Sequence, residues 1–238
     1  MTDWHTHILP GMDDGSRDAE ESLNMLEALA DQQVSEVVMT PHFYAQSESP
    51  ARFLKRRRKA QEQLAYAIES RTAEGAELPS CVAGAEVYYF DQLWQLDAEE
   101  LRALCIGSSN ILMVEMPETP WETRVYDTLE KLMYRKSVTP LIAHVDRCMD
   151  AITDSQAFDR LIADGLLVQL NTAAFEGMRS KRKAFRWMKS GRVHRIGSDC
   201  HNMQNRKPDI ASAVRTVQKS LGEEAVRFYF APVSETKR

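Results

Sequence analysis

Two histidines two residues apart, His5 and His7, stand in an apolar run near the start of the chain. On an extended strand that spacing turns both imidazoles to one face. Comparable groups recur along the sequence. Successive apolar runs carry or end in His42, Glu86, Glu115, His144 and Asp199, and His201 follows two residues beyond Asp199. Asp199 and His201 repeat the first pair's geometry on the expectation that the extended backbone continues through them. Asp13 and Asp14 follow the first run in a glycine-containing loop, from which a carboxylate can swing back over the strand ends; spacing alone does not choose between them. A lone histidine on an apolar run reads as an ordinary core residue. Here five of six histidines take one topological position, beside acids in equivalent places. Buried acids and imidazoles are costly unless paired or bound to metal, so the set reads as a cluster. The sixth histidine, His194, begins its run at the opposite end and is expected to be structural.

Imidazoles and carboxylates without a thiolate suit Mn2+, Fe2+ or Zn2+ and argue against a structural cysteine–zinc site. Nine candidate donors are too many for one ion and suffice for two or three divalent ions if a carboxylate such as Glu86 or Glu115 bridges. Clustered metals activate water and clamp entering and leaving oxygens, which is the chemistry of phosphoester hydrolysis.

Such a cluster needs a scaffold that brings many strand ends together. Strand-like runs rich in Val, Ile and Leu cover 3–9, 36–42, 80–89, 111–116, 140–146, 167–172 and 193–199. Continuous apolar runs of this kind suit parallel strands covered on both faces. Helical patterns fill the intervals. One is capped by Ser16 and reaches about Gln32, with Asp18, Glu20 and Glu21 at its positive end. Another opens at Ser49-Pro50 and runs to about Glu74, with Gly75 as its stop. Others cover 91–104, 121–135, 155–163, 178–190, 208–221 and 223–229. Alternating strands and helices predict an α/β fold with a parallel sheet, either a closed or distorted barrel or an open doubly wound sheet. In both architectures active sites form at the C-terminal strand edge, where the ionisable residues fall. No G-x-G-x-x-G fingerprint follows the first strand, which counts against a dinucleotide fold.

The chain has 238 residues, 43% hydrophobic and 27% charged, which excludes disorder, collagen and coiled coil as descriptions of the whole. No linker divides it, so residues 1–238 are read as one domain. A net charge of -5 disfavours a nucleic-acid partner. Four cysteines are too sparse for a disulfide scaffold. No basic segment followed by an apolar stretch suggests a signal peptide, and no run of about 18 apolar residues suggests membrane insertion. The expectation is a cytoplasmic protein.

Taken in order, the motifs resemble the PHP (polymerase and histidinol phosphatase) superfamily. They are most similar to its bacterial protein-tyrosine phosphatases of the CpsB/CapC/YwqE type, associated with capsule and exopolysaccharide control. The matching stretches are Asp3-Trp4-His5-Thr6-His7-Ile8, Asp13-Asp14-Gly15, Thr40-Pro41-His42, Gly84-Ala85-Glu86-Val87-Tyr88-Tyr89 and Glu115-Met116. They continue through Pro140-Leu141-Ile142-Ala143-His144-Val145-Asp146-Arg147, Val168-Gln169-Leu170-Asn171 and Ser198-Asp199-Cys200-His201-Asn202. The resemblance implies a distorted (β/α)7 TIM-like barrel holding up to three metals, with Mn2+ favoured. Its implied ligands are His5, His7, Asp14, His42, Glu86, Glu115, His144, Asp199 and His201. It prefers Asp14 to Asp13 and implies that Arg147 and Arg206 bind the substrate phosphate. The implied reaction is hydrolysis of phosphotyrosine by metal-activated hydroxide without a covalent intermediate. His42 or His201 serves as proton donor only where metal does not fully engage it. The implied partner is a phosphotyrosine protein, a bacterial tyrosine autokinase that controls polysaccharide export; a homo-oligomer is compatible. Cys148 stands where relatives often carry an aromatic residue, a departure that bears on how the phenol ring is held.

Other readings compete. Cys200 and Arg206 fit C-x5-R, the phosphate loop of cysteine-dependent phosphatases. That loop wants a low-pKa thiolate, yet this one has no internal glycine and places Lys207 after the arginine. A histidinol-phosphate or other small-molecule phosphatase of the same superfamily is the main alternative, and a non-enzymatic regulatory module the third. The run Lys55-Arg56-Arg57-Arg58-Lys59 wraps its helix and reads as solvated surface, with contact to an acidic phosphotyrosine tail or another subunit as the rival reading. Trp94, Trp121 and Trp187 are assigned to packing.

Overall fold

The computed structural model describes residues 1–235. Among the described residues, nine parallel strands are interspersed with helices. They are β1 (Thr2–Thr6), β2 (Glu36–Met39), β3 (His42–Phe43), β4 (Ser80–Ala83), β5 (Glu86–Tyr88), β6 (Ile111–Glu115), β7 (Thr139–Ile142), β8 (Leu167–Asn171) and β9 (Arg195–Gly197). Hydrogen bonding orders them as β1-β2-β4 and as β3-β5-β6-β7-β8-β9. The result is a single-domain α/β fold whose parallel sheet curls into a half-barrel. Backbone bonds from Asp199 N to His5 O (2.8 Å) and from His7 N to Cys200 O (2.9 Å) join the chain after β9 to β1.

The helices are α1 (Ala19–Ala30), α2 (Pro50–Ala73), α3 (Ala98–Leu104), α4 (Thr123–Lys136), α5 (Val145–Cys148), α6 (Ser155–Ala163), α7 (Met178–Lys189), α8 (Ala211–Leu221) and α9 (Glu223–Tyr229). The expected intervals hold for α6 and α9, and several others shift at their ends. Asp18, not Ser16, caps α1 by accepting from Glu21 N at 2.9 Å. Ser16 is committed to the preceding loop, where its N–H donates to His7 O and its carbonyl accepts from Gly11 N. The interval 91–104 breaks into a 3-10 turn, Leu93–Gln95, and α3, because Asp97 and Glu100 form a reciprocal capping box. The runs 36–42 and 80–89 each split into two strands.

Helix-covered faces form the main core, including Leu26, Leu29, Phe53, Leu112, Leu129 and Val168. A second cluster of Trp4, Val38, Ile111, Met113 and Leu141 lies within the curled sheet. Its strand members stand before the polar site residues of their own strands, so it supports the site from below. Trp4 is fully buried, and truncating such a ring typically costs about 3–5 kcal/mol.

The basic run of α2 is not uniformly solvated. Arg57 donates to the carbonyls of Gly84 and Ala103, both at 2.7 Å, and Arg56 to Glu48 and the Met12 carbonyl. Two of its five cations therefore tie α2 to neighbouring loops and to the end of α3, while Lys55, Arg58 and Lys59 face solvent. Trp121 and Trp187 are buried packing residues, as expected, and Trp94 packs partly buried beneath Lys131 and Arg135.

Candidate metal centre

The site residues arrive on several strands or on the turns just after them. The β1–β2 register slips between Asp3 and Thr6, and His5 and His7 bring their Nε2 atoms to 3.1 Å of each other. His42 and Glu86 are partners across β3 and β5, and Glu115 ends β6. His144 and Asp199 lie beyond their strands. The expected strands 140–146 and 193–199 end early, at Ile142 and Gly197, because His144 (φ 29°) and Asp199 (φ 57°) turn into the left-handed region. Non-glycine residues rarely adopt this conformation, which is costly and concentrates at functional sites. Thus extended backbone does not carry Asp199 to His201. A turn does so, with His201 Nδ1 3.0 Å from the Asp199 carbonyl.

Two glycines permit close approach. A Cβ on Gly15 would stand 2.2 Å from His7 O, and one on Gly197 would stand 2.6 Å from His5 Cβ. The first lets the Asp13-Asp14 loop fold onto β1; the second lets β9 pack against it.

The polar atoms form three overlapping groups able to hold a cation: His7, Asp14, His42 and His201; His5, His7 and Asp199; and His42, Glu86 and Glu115. Eight of the nine residues predicted as ligands fall in them. His144 stands outside these groups, with Nε2 2.7 Å from Glu86 Oε1 and 3.7 Å from Glu115 Oε1. Glu86 Oε2 sits centrally, 3.2 Å from His5 Nε2, 3.3 Å from His7 Nε2 and 3.0 Å from His42 Nδ1. Asp14, not Asp13, faces the cluster, 3.3 Å from His201 Nε2 and 3.6 Å from His42 Nε2.

Buried atoms there lack hydrogen-bond partners among the described residues: His42 Nδ1, Glu86 Oε2, Glu115 Oε2 and His201 Nε2. An unsatisfied buried polar group costs about 1–3 kcal/mol, more if charged. Imidazole nitrogens and carboxylate oxygens left this way fit divalent cations.

The electrostatics agree. Burial disfavours the Glu86 carboxylate, yet His5, the hydrogen-bonded His144 and the adjacent His42 hold its pKa well below the usual range. His5 and His7 do the same for Asp199 against its burial. Burial and the neighbouring Glu86 charge push Glu115 upward. Burial, His7 and Arg206 lower His201 to about 4, leaving it neutral at pH 7. Its Nδ1–H can then donate to the Asp199 carbonyl, with the Nε2 lone pair directed toward Asp14.

Several residues missing from the predicted ligand set orient those in it. Asp13 Oδ2 lies 2.8 Å from His7 Nδ1 and accepts from His42 N at 2.8 Å. A carboxylate behind an imidazole fixes the tautomer and presents the opposite nitrogen to a metal. Gln169 Oε1 lies 3.3 Å from His5 Nδ1 and accepts from His144 N, while Asn171 Nδ2 donates to Asp199 Oδ2. Asp3 accepts from Ser198 N and Oγ, tying β1 to the β9 turn. Asp3, Gln169 and Asn171 had a visible signal, polar side chains at period two on apolar strands. Tyr44 had none. Its ring lies 5.2 Å from that of His42 and 5.7 Å from that of Tyr88, forming an aromatic rim.

Arg147 and Arg206 converge on one oxygen, Asp199 Oδ2, at 2.6 and 2.7 Å. They line a cleft of about 540 Å³ with Asn171, Thr172 and Asp199. Cys200, by contrast, is fully buried in the main core, and burial pushes its thiol well above its ordinary pKa. An inaccessible protonated thiol is a poor nucleophile, so C-x5-R here is a coincidence of spacing. Cys148 is also a buried core residue, which takes it out of the substrate-facing rim. His194 accepts from Val168 N through Nδ1, the structural role expected of it.

The chain as a whole is similar to known proteins. The chain is 27% identical over 232 residues to tyrosine-protein phosphatase YwqE of Bacillus subtilis, covering 94% of this chain and 86% of that protein. It is 28% identical over 247 residues to tyrosine-protein phosphatase CpsB of Streptococcus pneumoniae, covering 97% and 95%. Among solved structures, a chain from the crystal structures of YwqE and CpsB, described as unique metal-dependent tyrosine phosphatases, superposes with a TM-score of 0.78 at 23% identity, covering 94% of this chain and 89% of that one. The family described as capsular polysaccharide synthesis, CpsB/CapC, matches residues 1–235, so the match embraces every stretch that builds the cluster, and the chain belongs to that family.

Proposed function

We propose that this protein is a metal-dependent protein-tyrosine phosphatase, a phosphoric monoester hydrolase acting without a covalent enzyme intermediate. The observation that carries the reading is the set of partnerless buried lone pairs on His42, Glu86, Glu115 and His201 beside two arginines. His5, His7, Asp14, His42, Glu86, Glu115, His144, Asp199 and His201 would hold two to three divalent ions; the nitrogen–oxygen set suits Mn2+, Fe2+ or Zn2+, and the family resemblance favours Mn2+. Bound there, such ions lower the pKa of water and neutralise charge on phosphoryl oxygens.

The chain's own residues do the rest. Arg147 and Arg206 exchange the Asp199 carboxylate for phosphate oxygens, to which a guanidinium makes paired, charge-assisted bonds. Asp13 and Gln169 hold His7 and His5 in register. Tyr44 and Tyr88 offer ring faces to the substrate phenol. His201, neutral near pH 7, serves as a ligand and not as an acid. Phenolate departs readily enough that a strong general acid is unnecessary.

The fold supports a finer description, a distorted (β/α)7 barrel. In it β2 and β3 act as one stave, β4 and β5 as another, and the parallel bridge between Thr6 and Cys200 closes the ring. The proposed substrate is a phosphotyrosine protein, specifically a bacterial tyrosine autokinase in capsule or exopolysaccharide control. Relatives named tyrosine-protein phosphatases and the family's capsular description support it. Free Cys81, Cys105, Cys148 and Cys200 suit a reducing cytoplasm, and no helix among the described residues is long and apolar enough to cross a membrane.

The test is phosphate release from a phosphotyrosine peptide before chelation, after it, and after Mn2+ is restored, with histidinol phosphate alongside. Activity on the peptide should vanish and return. Turnover indifferent to chelation refutes the metal centre, and turnover of histidinol phosphate alone moves the assignment to a small-molecule phosphatase.

A further inference from the structure

The chain carries a net charge of -5, yet α7 contains Arg179, Lys181, Arg182, Lys183, Arg186 and Lys189 with no acidic residue. Its inner face, Ala184, Trp187 and Met188, is buried. Its outer stripe, Met178, Lys181, Arg182, Phe185, Arg186 and Lys189, lines a groove of about 700 Å³ that meets Ser220 of α8. Lys183 pairs with Asp150. Among the described residues the side chains of Lys181, Arg182, Arg186 and Lys189 have no ion pair or hydrogen bond.

Only part of this charge serves the helix. Arg186 and Lys189 complement its negative end, but Arg179 and Lys181 sit near its positive end, where cations are unfavourable, and Gly177 supplies no side-chain cap. Arg182 and Arg186 are like charges four apart, a repulsive spacing. The apolar component is exposed as well, with Met178 80% accessible.

Position links the groove to the site. Thr172, Ala173 and Glu176 line the arginine cleft, and α7 begins two residues after Glu176. Glu176 is the one acid in the segment 172–177 that joins the cleft to α7. The groove follows α7 from Met178 to Lys189, about 16 Å at the helical rise, which an extended peptide spans in about five residues. Its charge calls for acidic side chains, and its course along a single helix matches the length of one short extended chain.

We propose that the α7 groove docks an acidic segment of the phosphotyrosine protein, extending about five residues away from the phosphotyrosine held at Arg147 and Arg206. The groove adds binding and discrimination among substrates and leaves the chemical step unchanged. The proposal rests on the phosphatase reading for its substrate, though the groove's affinity is measurable without turnover.

The probes are fluorescent peptides carrying one tyrosine flanked by five glutamates on its N-terminal or C-terminal side, with glutamine counterparts, each with and without phosphate. Anisotropy should show an unphosphorylated glutamate peptide binding the metal-loaded wild type, more weakly at high salt. Replacing Lys181→Gln, Arg182→Gln and Arg186→Gln together should weaken that binding about tenfold. The same replacement should raise KM for the matching phosphopeptide while leaving its kcat and p-nitrophenyl phosphate turnover unchanged. Arg182→Gln alone, with circular dichroism on both variants, guards against misfolding.

Equal binding of glutamate and glutamine peptides, or of wild type and a folded variant, overturns the proposal. Capture by phosphatidylserine vesicles without glutamate-peptide binding also overturns it and assigns the groove to a membrane surface. Charge-dependent peptide binding without phosphopeptide turnover supports the groove and rejects the phosphatase reading.

Discussion

Gly197→Ala tests whether close packing of β9 on β1 positions the metal centre. The new Cβ would stand 2.6 Å from His5 Cβ and 2.7 Å from His5 N. Carbon atoms pack at about 3.5–4.0 Å, so the seam must part by about 1 Å. His5 and His7 lie on one side of it and Asp199 on the other, with Nε2-to-Oδ1 separations of 3.6 and 3.4 Å. Metal–ligand distances tolerate only about 0.2 Å, so the His5–His7–Asp199 group should lose its ion. Overpacking of this kind costs about 1–3 kcal/mol. For a domain of this size that lowers Tm by about 2–12 °C. Misplacement by about 1 Å costs on the order of 100-fold in rate. The assay is metal content per chain by plasma mass spectrometry, alongside Tm and phosphopeptide kcat/KM. Gly191→Ala is the control, because Gly191 has φ 74° with nothing near its missing Cβ. It should lower Tm through backbone strain of about 1–2 kcal/mol while keeping full metal content. A Gly197→Ala protein with wild-type metal content and activity would refute the reasoning.

Arg147→Lys and Arg206→Lys should each lower kcat/KM for phosphopeptide by about 10–100-fold without loss of metal, since lysine cannot make the paired bonds; unchanged kinetics would remove them from phosphate binding. Cys200→Ser should retain most activity, because the thiol is fully buried and protonated; abolition with metals still bound would restore the cysteine mechanism. His194 provides a pH signature. Burial, with the Arg195 charge, lowers its pKa to about 4, so the unfolded chain binds more protons between about pH 6.5 and 4. Its contribution is therefore present above pH 6.5 and lost as pH falls toward 4, by at most about 3 kcal/mol. Denaturant unfolding of His194→Gln should show a shallower loss than wild type across that window, and parallel profiles would contradict the assignment.

The cluster was legible because metal chemistry restricts residue types and a parallel sheet restricts their positions. His5, His7, His42, Glu86, Glu115, His144, Asp199 and His201 each follow or end an apolar run, and such runs share one edge. Periodicity could not show how Asp199 and His201 come together. The expected extended backbone is replaced by a left-handed residue and a turn. Nor could local spacing separate Asp13 from Asp14. Resemblance favoured Asp14, and the fold explains why. Gly15 lets the loop press onto His7, leaving Asp13 behind the imidazole and Asp14 in front of it.

The cap expected for α1 failed for a related reason, whereas Ser49 caps α2 as its spacing predicts. Ser16 and Asp18 are equally good capping residues in isolation, and Ser16 was claimed by backbone contacts with His7 and Gly11. The basic run of α2 carried no signal that Arg56 and Arg57 would anchor neighbouring backbone, whereas α7, with a similar composition, leaves its outer cations without partners among the described residues. Composition, hydrophobic period and donor chemistry are properties of a segment, so they were readable along the chain: a parallel α/β scaffold, a nitrogen–oxygen metal set, and too few cysteines for a disulfide scaffold. Which carboxylate faces the ions, which arginines meet on Asp199, which thiol is sealed in the core and which charges remain available to a partner depend on atoms far apart in sequence. Those assignments followed only once β9 had packed against β1 and the strand ends had come together.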